Sequence, residues 1–146
     1  MAVGNFTVFN IAKEKIAKAT IDLDSDSFKA VLTTSAQSIA ATFAGTSTDC
    51  RLADLTNEVS GTGYTTGGTA VTLSVTRSTG TVTVDSTDPQ WTTATITAKY
   101  LIIYDDTNAN DSLLGFYDLD TGGGSVSSTA GTFQVTVNAS GLFTLA

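Results

Sequence analysis

Alternating apolar and polar residues dominate the chain and predict β-strands along most of its length. In the clearest case, Val71, Leu73 and Val75 alternate with Thr and Ser, and the alternation resumes at Val82 after a Ser-Thr-Gly linker that ends at Gly80. Strict alternation is typical of a strand that buries one face. A three-residue linker with a terminal glycine favours a hairpin loop. We therefore predict a hairpin here, with Gly80 as its left-handed residue.

Similar patterns predict further short strands. They are a short extended start at residues 6–8, a strand from Phe28 to Leu32, one continuous strand from Ile96 to Tyr104, a strand from Leu113 to Leu119, apolar alternation at Phe133, Val135 and Val137, and a final strand within residues 141–146. Residues 35–44 fit either a helical turn or an extended link, residues 45–69 are predicted to be mostly loop, and residues 122–131 are predicted to be a flexible link.

The strand from Ile96 to Tyr104 differs from the others because it is apolar on both faces from Leu101 onward. A strand of this kind is usually covered on both sides. The sequence leaves two candidates for the second cover, which are the N-terminal helix and a neighbouring subunit.

Residues 10–19 carry a helical pattern. Ala and Lys are good helix formers, Ile11 and Ile16 fall near one face, and Asn10 is placed to cap the first turn. A helix of this length is not stable alone, so we expect it to pack on another element.

These elements predict a mainly β fold. About seven or eight short strands at spacings of about ten residues suggest an antiparallel β-sandwich or barrel, here with one short N-terminal helix. We expect residues 1–19 to form an N-terminal arm and helix and residues 20–146 to form a single β domain.

The composition supports a folded β domain rather than a Thr- and Ser-rich stalk. The chain has 28 Thr and 14 Ser among its 146 residues, but 41% of its residues are hydrophobic, more than such a stalk would carry. Thr is β-branched and favours strands. The formal net charge of −7 disfavours a nucleic-acid partner.

No residue pattern predicts enzymatic chemistry. The chain has no His and one Cys, Cys50, so it lacks the usual general base and cannot form an internal disulfide. Arg51 could lower the pKa of the adjacent thiol, but an incidental thiol is the favoured interpretation. A small glycan hydrolase would need two carboxylates across a cleft, and no spacing points to such a pair. We expect no enzymatic activity, no cofactor and no metal site.

Two acidic segments could hold a cation, but simpler interpretations are favoured. Asp22, Asp24 and Asp26 would share one solvated face of a strand. Residues 106–111 begin like a calcium-binding loop, yet an Asp and a Tyr stand where that loop requires Gly and Glu. Because Asn and Asp are also ordinary turn residues, we predict a hairpin turn at residues 106–111 and leave cation binding there open.

The sequence predicts neither secretion nor membrane insertion. The start Met-Ala-Val-Gly-Asn-Phe lacks the basic and apolar regions of a signal peptide. The longest continuous apolar stretch, Tyr100 to Tyr104, is far shorter than the roughly 20 residues that span a bilayer. We expect synthesis in a cytoplasm and no membrane partner.

Segments spread over nearly the whole chain carry a resemblance to a known group. They are Asn5-Phe-Thr-Val-Phe-Asn10, Ile21-Asp-Leu-Asp24 with Asp26 and Phe28-Lys29, Ala53-Asp-Leu-Thr-Asn-Glu-Val59, Gly63-Tyr-Thr-Thr-Gly-Gly68, Tyr100 to Asp106, and Asn138 to Ala146. Their order resembles a widespread group of small virion structural proteins of tailed bacteriophages, some of which are head decoration, or cement, proteins. The part between Leu55 and Gly68 is the most specific, and Val75 departs from the group, in which a Trp is expected.

The resemblance implies a non-enzymatic capsid decoration protein that is made in the cytoplasm of the host bacterium and lies on the capsid surface of the virion. Its implied partner is the major capsid protein, whose head lattice it would clamp and stabilise. The implied assembly is a small cyclic homo-oligomer, with a trimer favoured. Many copies on a symmetric lattice would supply the affinity.

We expect two regions to contact the capsid. The first is the N-terminal segment Asn5–Lys18, because four of the seven basic residues precede residue 30. The second is the loop Asp54–Gly68, for which a packed structural loop is the alternative. The expected contact residues are Asn5, Phe6, Phe9, Lys13, Lys15, Lys18, Asn57, Glu58 and Tyr64. Deletion of residues 1–19 is expected to abolish capsid binding and to leave the β domain folded.

An alternative function is that of a host-receptor adhesin on a tail or head fibre. Such a protein would bind glycan through an exposed aromatic or polar pocket. Trp91 is the residue that we would expect to contact the sugar in that case.

Overall fold

The computed structural model describes residues 3–43 and 49–146, and these form a mainly β protein with one short α-helix near the N-terminus. The strands are β1 (Thr7–Val8), β2 (Phe28–Thr33), β3 (Thr69–Val71), β4 (Leu73–Ser78), β5 (Thr81–Ser86), β6 (Gln90–Ala98), β7 (Tyr100–Asp105), β8 (Leu113–Asp118), β9 (Val126–Gln134) and β10 (Phe143–Leu145). The helix α1 is Asn10–Ala17, and a 3₁₀ turn spans Leu52–Asp54. None of the described helices is long and apolar enough to cross a membrane.

The strands form three antiparallel sheets. A five-stranded sheet has the order β1-β8-β7-β2-β3, a three-stranded sheet has the order β10-β5-β4, and β6 pairs with β9. Each sheet keeps two edge strands, and the arrangement is sandwich-like. The predicted fold class is therefore confirmed.

The core is centred on β7, which is buried on both faces along Leu101–Ile103. In the neighbouring strand β8, the successive residues Phe116 and Tyr117 point to opposite faces. The ring centroid of Phe9 lies 5.3 Å from that of Phe116, and the ring centroid of Phe6 lies 5.1 Å from that of Tyr117. The N-terminal segment therefore contacts β8 from both of its faces, next to the doubly apolar strand β7.

The N-terminal segment is tied into the β domain. β1 pairs with β8, and Phe6, Phe9 and Ala12 belong to the same core cluster as β7 and β8. A domain boundary at residue 19 stays a prediction. The packing of Phe6, Phe9 and Ala12 in the core of the β domain is the observation that concerns it. The predicted N-cap, Asn10, is wrong. Phe9 is the N-cap and makes no side-chain capping bond, and Asn10 is the first residue of the helix.

The predicted continuous strand from Ile96 to Tyr104 is wrong. The chain bends at Lys99, so that β6 lies in the two-stranded sheet and β7 in the five-stranded sheet. The backbone N–H of Lys99 donates to the carbonyl of Thr33 at 2.8 Å, and its carbonyl accepts from Leu119. The alternation of apolar residues continues across the bend, which is why the sequence pattern does not reveal it.

Two predicted connections also differ from the structure. The β4–β5 hairpin is present, but Ser78 pairs with Thr81, so the loop has two residues, and its left-handed residue is Thr79 (φ 57°) rather than Gly80. The predicted link at residues 122–131 is a strand from Val126 onward, since β9 pairs with β6.

The acidic segment at residues 22–26 is a turn and not a strand. Asp22 Oδ1 accepts hydrogen bonds from the backbone N–H groups of Asp24 (3.0 Å) and Ser25 (3.2 Å), and the backbone N–H of Asp22 donates to Asp26 at 2.8 Å. These side-chain bonds to the local backbone are typical of Asp-rich turns and outcompete strand pairing. Residues 35–43 contain turns, residues 49–68 are loop apart from the 3₁₀ turn, and the expectations for residues 44–48 lie outside the described residues.

Candidate functional site

The two aromatic residues of the predicted N-terminal contact region are core residues. Phe9 is fully buried and Phe6 is 9% exposed. Phe6 contacts Phe143 of β10 as well as Tyr117, with ring centroids 6.3 Å apart in the stacked arrangement. Both rings are packed in the core, so they hold β1 and the start of α1 against the sheets.

The three lysines of α1 and its C-terminal end have different environments. The side chain of Lys15 is 13% exposed, and its Nζ donates to the carbonyl of Asp49 (2.9 Å) and to Ser112 Oγ (2.8 Å). Lys18 is exposed and pairs with Glu14 one turn earlier. Lys13 is exposed, and its Nζ donates to Asn10 Oδ1 at 3.1 Å. Lys15 is therefore structural, and Lys13 and Lys18 remain available at the surface, as does Asn5.

The loop Asp54–Gly68 is organised around the side chain of Glu58. Glu58 Oε1 accepts hydrogen bonds from the hydroxyl of Tyr64 (2.8 Å) and from the backbone N–H of Gly67 (2.7 Å). The Tyr64 oxygen in turn accepts from the backbone N–H of Leu32 in β2 (3.1 Å), and burial raises the pKa of this tyrosine. Asn57 is half-buried, and its backbone N–H donates to the buried Gln37.

Gly68 closes the loop against β2 in a way that only glycine permits. Its φ is +79°, and an added Cβ would lie 1.9 Å from the carbonyl oxygen of Ala30. The hydrogen bonds and this close approach support the alternative that the loop is packed structure. The residues Asn57, Glu58 and Tyr64 are brought together, but by contacts within the chain.

Trp91 does not form a glycan platform. It is 5% exposed, and its ring lies between Tyr64 and Phe133, with centroid distances of 5.8 Å and 6.1 Å. A sugar-binding aromatic needs one open ring face, so the burial of Trp91 removes the residue on which the adhesin alternative depended.

A groove lies between two edge strands of different sheets. A cavity of about 390 Å³ lies between β1, α1 and β10. Its lining consists of Phe6, Thr7, Val8, Lys13, Ile16, Phe143, Thr144 and Leu145. A second cavity of about 370 Å³ adjoins it and shares Phe6, Phe143 and Thr144 with it. We call these two cavities together the edge groove.

The edge groove contains residues that were not among the expected contact residues, and two of them, Phe143 and Leu145, lie outside both expected contact regions. Val8, Ile16, Phe143 and Leu145 line it, whereas only Asn5, Phe6 and Lys13 of the expected contact residues do. Leu145 is 50% exposed, which is unusual for a leucine in a strand. The alternation in the last residues predicted a strand, but nothing in the sequence places that strand beside β1.

The remaining candidates for chemistry are Cys50, the possible metal-binding groups and the turn at residues 106–111. Burial raises the pKa of the Cys50 thiol to about 12, and the charge of Asp54 adds to the rise, so the thiol is protonated at neutral pH and the idea that Arg51 activates it is wrong. No group of three or more His, Cys, Asp or Glu side chains within residues 3–43 and 49–146 is arranged to hold a metal ion. In the turn at residues 106–111, Asn108 Oδ1 accepts from the backbone N–H of Asn110 at 3.0 Å, as expected for a hairpin turn.

No protein-family model matches the chain, no curated protein matches it, and no solved structure matches it. Its likeness to phage virion proteins therefore stays a prediction from the sequence segments that carry it. The geometry of the edge groove is an independent observation to set beside that prediction.

Proposed function

We propose that this chain is a structural protein of a tailed bacteriophage virion, namely a decoration protein that binds the major capsid protein on the outside of the head and stabilises it. The edge groove is the observation that carries the proposal, because in an acidic β protein it places apolar side chains of two edge strands and of α1 beside an exposed lysine. The sequence segments that resemble virion proteins supply the identity of the partner.

The fold suits this task. A decoration protein acts by binding. A β domain whose loop Asp54–Gly68 is hydrogen-bonded to β2 keeps its binding surface in one shape before it meets the lattice, which lowers the cost of association. We further propose a small cyclic homo-oligomer, with a trimer favoured, since a symmetric oligomer can engage several lattice subunits at once.

The experiment that tests the function is immunogold electron microscopy of particles of the phage that encodes the chain, with antibody to the purified protein. Gold spread evenly over the heads is the expected result. Gold confined to the tail, its fibres or a single vertex would overturn the decoration role and favour an adhesin or a connector. Particles that carry no gold, in a preparation where immunoblotting also finds no protein, would overturn the virion role itself.

The assembly is tested separately by native mass spectrometry of the purified chain. We expect a species of three times the 15.0 kDa chain mass. A monomer at every accessible concentration would contradict the trimer and leave the capsid-binding role to the immunogold result.

A further inference from the structure

The walls of the edge groove are strands that each lack a partner on one side. In the part of the chain that the structure describes, β1 ends the five-stranded sheet and pairs only with β8, and β10 ends the three-stranded sheet and pairs only with β5. The stacked rings of Phe6 and Phe143 hold these two edges next to each other. An edge strand presents unpaired N–H and C=O groups, which another chain can use by adding a strand.

The charge of the groove is opposite to that of the chain. The protein has 14 Asp and Glu residues and a net charge of −7, yet none of the described residues that line the two cavities of the edge groove is acidic. Among residues 3–43 and 49–146, the one charged residue in the lining is Lys13, which is exposed at the α1 end. The nearby carboxylate of Glu14 is already paired with Lys18, so Lys13 can pair with a carboxylate from outside.

We propose that the edge groove takes an extended segment of a partner protein, which adds as a strand to β10, places apolar side chains at alternate positions against Val8, Ile16 and Leu145, and sets a carboxylate beside Lys13. Alternation is required because every second side chain of an added strand faces the groove. The identification of that partner as the major capsid protein rests on the proposed function.

A second copy of this chain fits the groove less well than a different protein. β10 has three residues, so pairing it with the same strand of another copy gives a short ladder. Because no described residue of the lining is acidic, such a pairing also brings no carboxylate side chain of the lining to Lys13. A separate, acidic segment can both pair with the free backbone groups of β10 and place a carboxylate beside Lys13.

The test compares full-length variants in a co-sedimentation assay with phage heads that lack the protein. Leu145→Asp replaces an exposed apolar side chain of the groove with a carboxylate that would compete with the partner for Lys13. Lys13→Glu reverses the charge of the groove. We expect each variant to bind heads at least about tenfold more weakly than the natural chain. Both residues are exposed, so the melting temperature is expected to stay unchanged.

The matched controls lie on β4, the other edge of the three-stranded sheet. Thr76→Asp adds the same charge to an exposed edge residue, and Arg77→Glu makes the same reversal at an exposed cation. Both controls are expected to bind heads as the natural chain does. Hydrogen exchange of head-bound protein is expected to slow at Phe143–Leu145 and to stay unchanged at the β4 edge, as strand addition requires.

The outcomes separate this inference from the proposed function. If the natural chain does not bind heads, the decoration role is wrong, and so is the proposal that a segment of the capsid protein adds to β10. If the natural chain binds and the two groove variants bind equally well, the decoration role stands and the groove assignment is overturned. If Leu145→Asp instead turns an oligomer into monomers, the occupant of the groove is a second copy and our assignment of the strand to the partner is overturned.

Discussion

The ammonium nitrogen of Lys99 lies 2.7 Å from a carboxylate oxygen of Asp118, and 7% of the lysine side chain is exposed. The same nitrogen donates to the carbonyl of Asp120. Lys99 stands at the bend between β6 and β7, so this pair ties the point where the chain changes sheets to the end of β8.

Removal of the Asp118 charge should therefore be costly. We expect Asp118→Asn to lower the free energy of unfolding by about 3 kcal/mol, because it leaves a buried ammonium without its counterion. Lys99→Met should cost less, because it removes the buried charge together with the partner that the charge requires. Urea unfolding monitored by tryptophan fluorescence measures both values.

The surface pair Lys29–Asp106 is the matched control. Its Nζ–Oδ2 distance is 3.0 Å, similar to that of the Lys99–Asp118 pair, and the two carboxylates are similarly exposed, but Lys29 is 38% exposed whereas Lys99 is 7% exposed. We expect Asp106→Asn to cost less than about 1 kcal/mol. If Asp118→Asn and Asp106→Asn lower the free energy of unfolding equally, burial of Lys99 does not increase the contribution of its ion pair to stability.

Asp105 should make stability depend on pH. This residue is fully buried, and its Oδ1 accepts hydrogen bonds from the backbone N–H groups of Thr107 (2.9 Å) and Asn108 (3.1 Å). Burial raises the pKa of Asp105 despite these bonds, and the charge of Asp26 raises it further. Because the unfolded chain loses this proton more readily, the ionised carboxylate destabilises the folded state at neutral pH.

We expect Asp105→Asn to raise the melting temperature at neutral pH. The gain should shrink as the pH falls through the raised pKa, since the natural carboxyl then takes up a proton and its penalty disappears. Thermal unfolding of both proteins over a series of pH values measures this. Asp22→Asn should act in the opposite direction, because a hydrogen bond from the Ser25 side chain and backbone N–H groups lower the pKa of Asp22. A loss of stability in Asp105→Asn at neutral pH would contradict the argument.

Much of the fold was predictable because it follows from local periodicity. The strands at Phe28, Leu73 and Leu113 and the helix after Phe9 each carry a pattern that one face of the sandwich requires. Local periodicity also explains the errors. The alternation that crosses Lys99 hides a change of sheet, because its apolar residues face the core on both sides of the bend.

The candidate site was less predictable than the fold, because it depends on residues that are distant in sequence. Lys13 was expected to contact a partner, but its apolar neighbours Phe143 and Leu145 come from the other end of the chain. Phe6 and Phe9 were assigned to an arm because they lie near the N-terminus. Both rings are buried in the core instead, since burial removes their large apolar surface from water. A periodicity argument cannot show which edge strands meet.

Gly115 should control the docking of β1. An added Cβ at this position would lie 2.5 Å from the carbonyl oxygen of Thr7 and 2.6 Å from the ring of Phe6. We therefore expect Gly115→Ala to push β1 away from β8 and to lower the free energy of unfolding by about 1–3 kcal/mol. Gly80→Ala is the control, since nothing lies within 4 Å of its added Cβ, and denaturant unfolding should find it nearly neutral.

The N-terminal segment should be required for folding and not only for binding. Phe9 is fully buried, so we expect Phe9→Ala to cost about 3–5 kcal/mol. The expectation that a protein without residues 1–19 keeps its β domain folded is revised accordingly: we expect far-ultraviolet circular dichroism and melting to show a strongly destabilised chain. Lys13→Ala, an exposed change in the same helix, should melt like the natural protein. A truncated protein that melts normally would restore the boundary at residue 19.

Tyr64 should separate stability from capsid binding. Tyr64→Phe removes the hydroxyl that donates to Glu58 and accepts from the backbone N–H of Leu32, so we expect a loss of about 1–2 kcal/mol in urea unfolding. Glu58→Gln keeps an acceptor oxygen for Tyr64 and should cost less. If the loop is packed structure, both variants bind heads normally at temperatures well below their melting transitions. Weakened head binding in Tyr64→Phe with unchanged stability would instead place the loop at the capsid interface, because only a lost contact with the partner could then explain the defect.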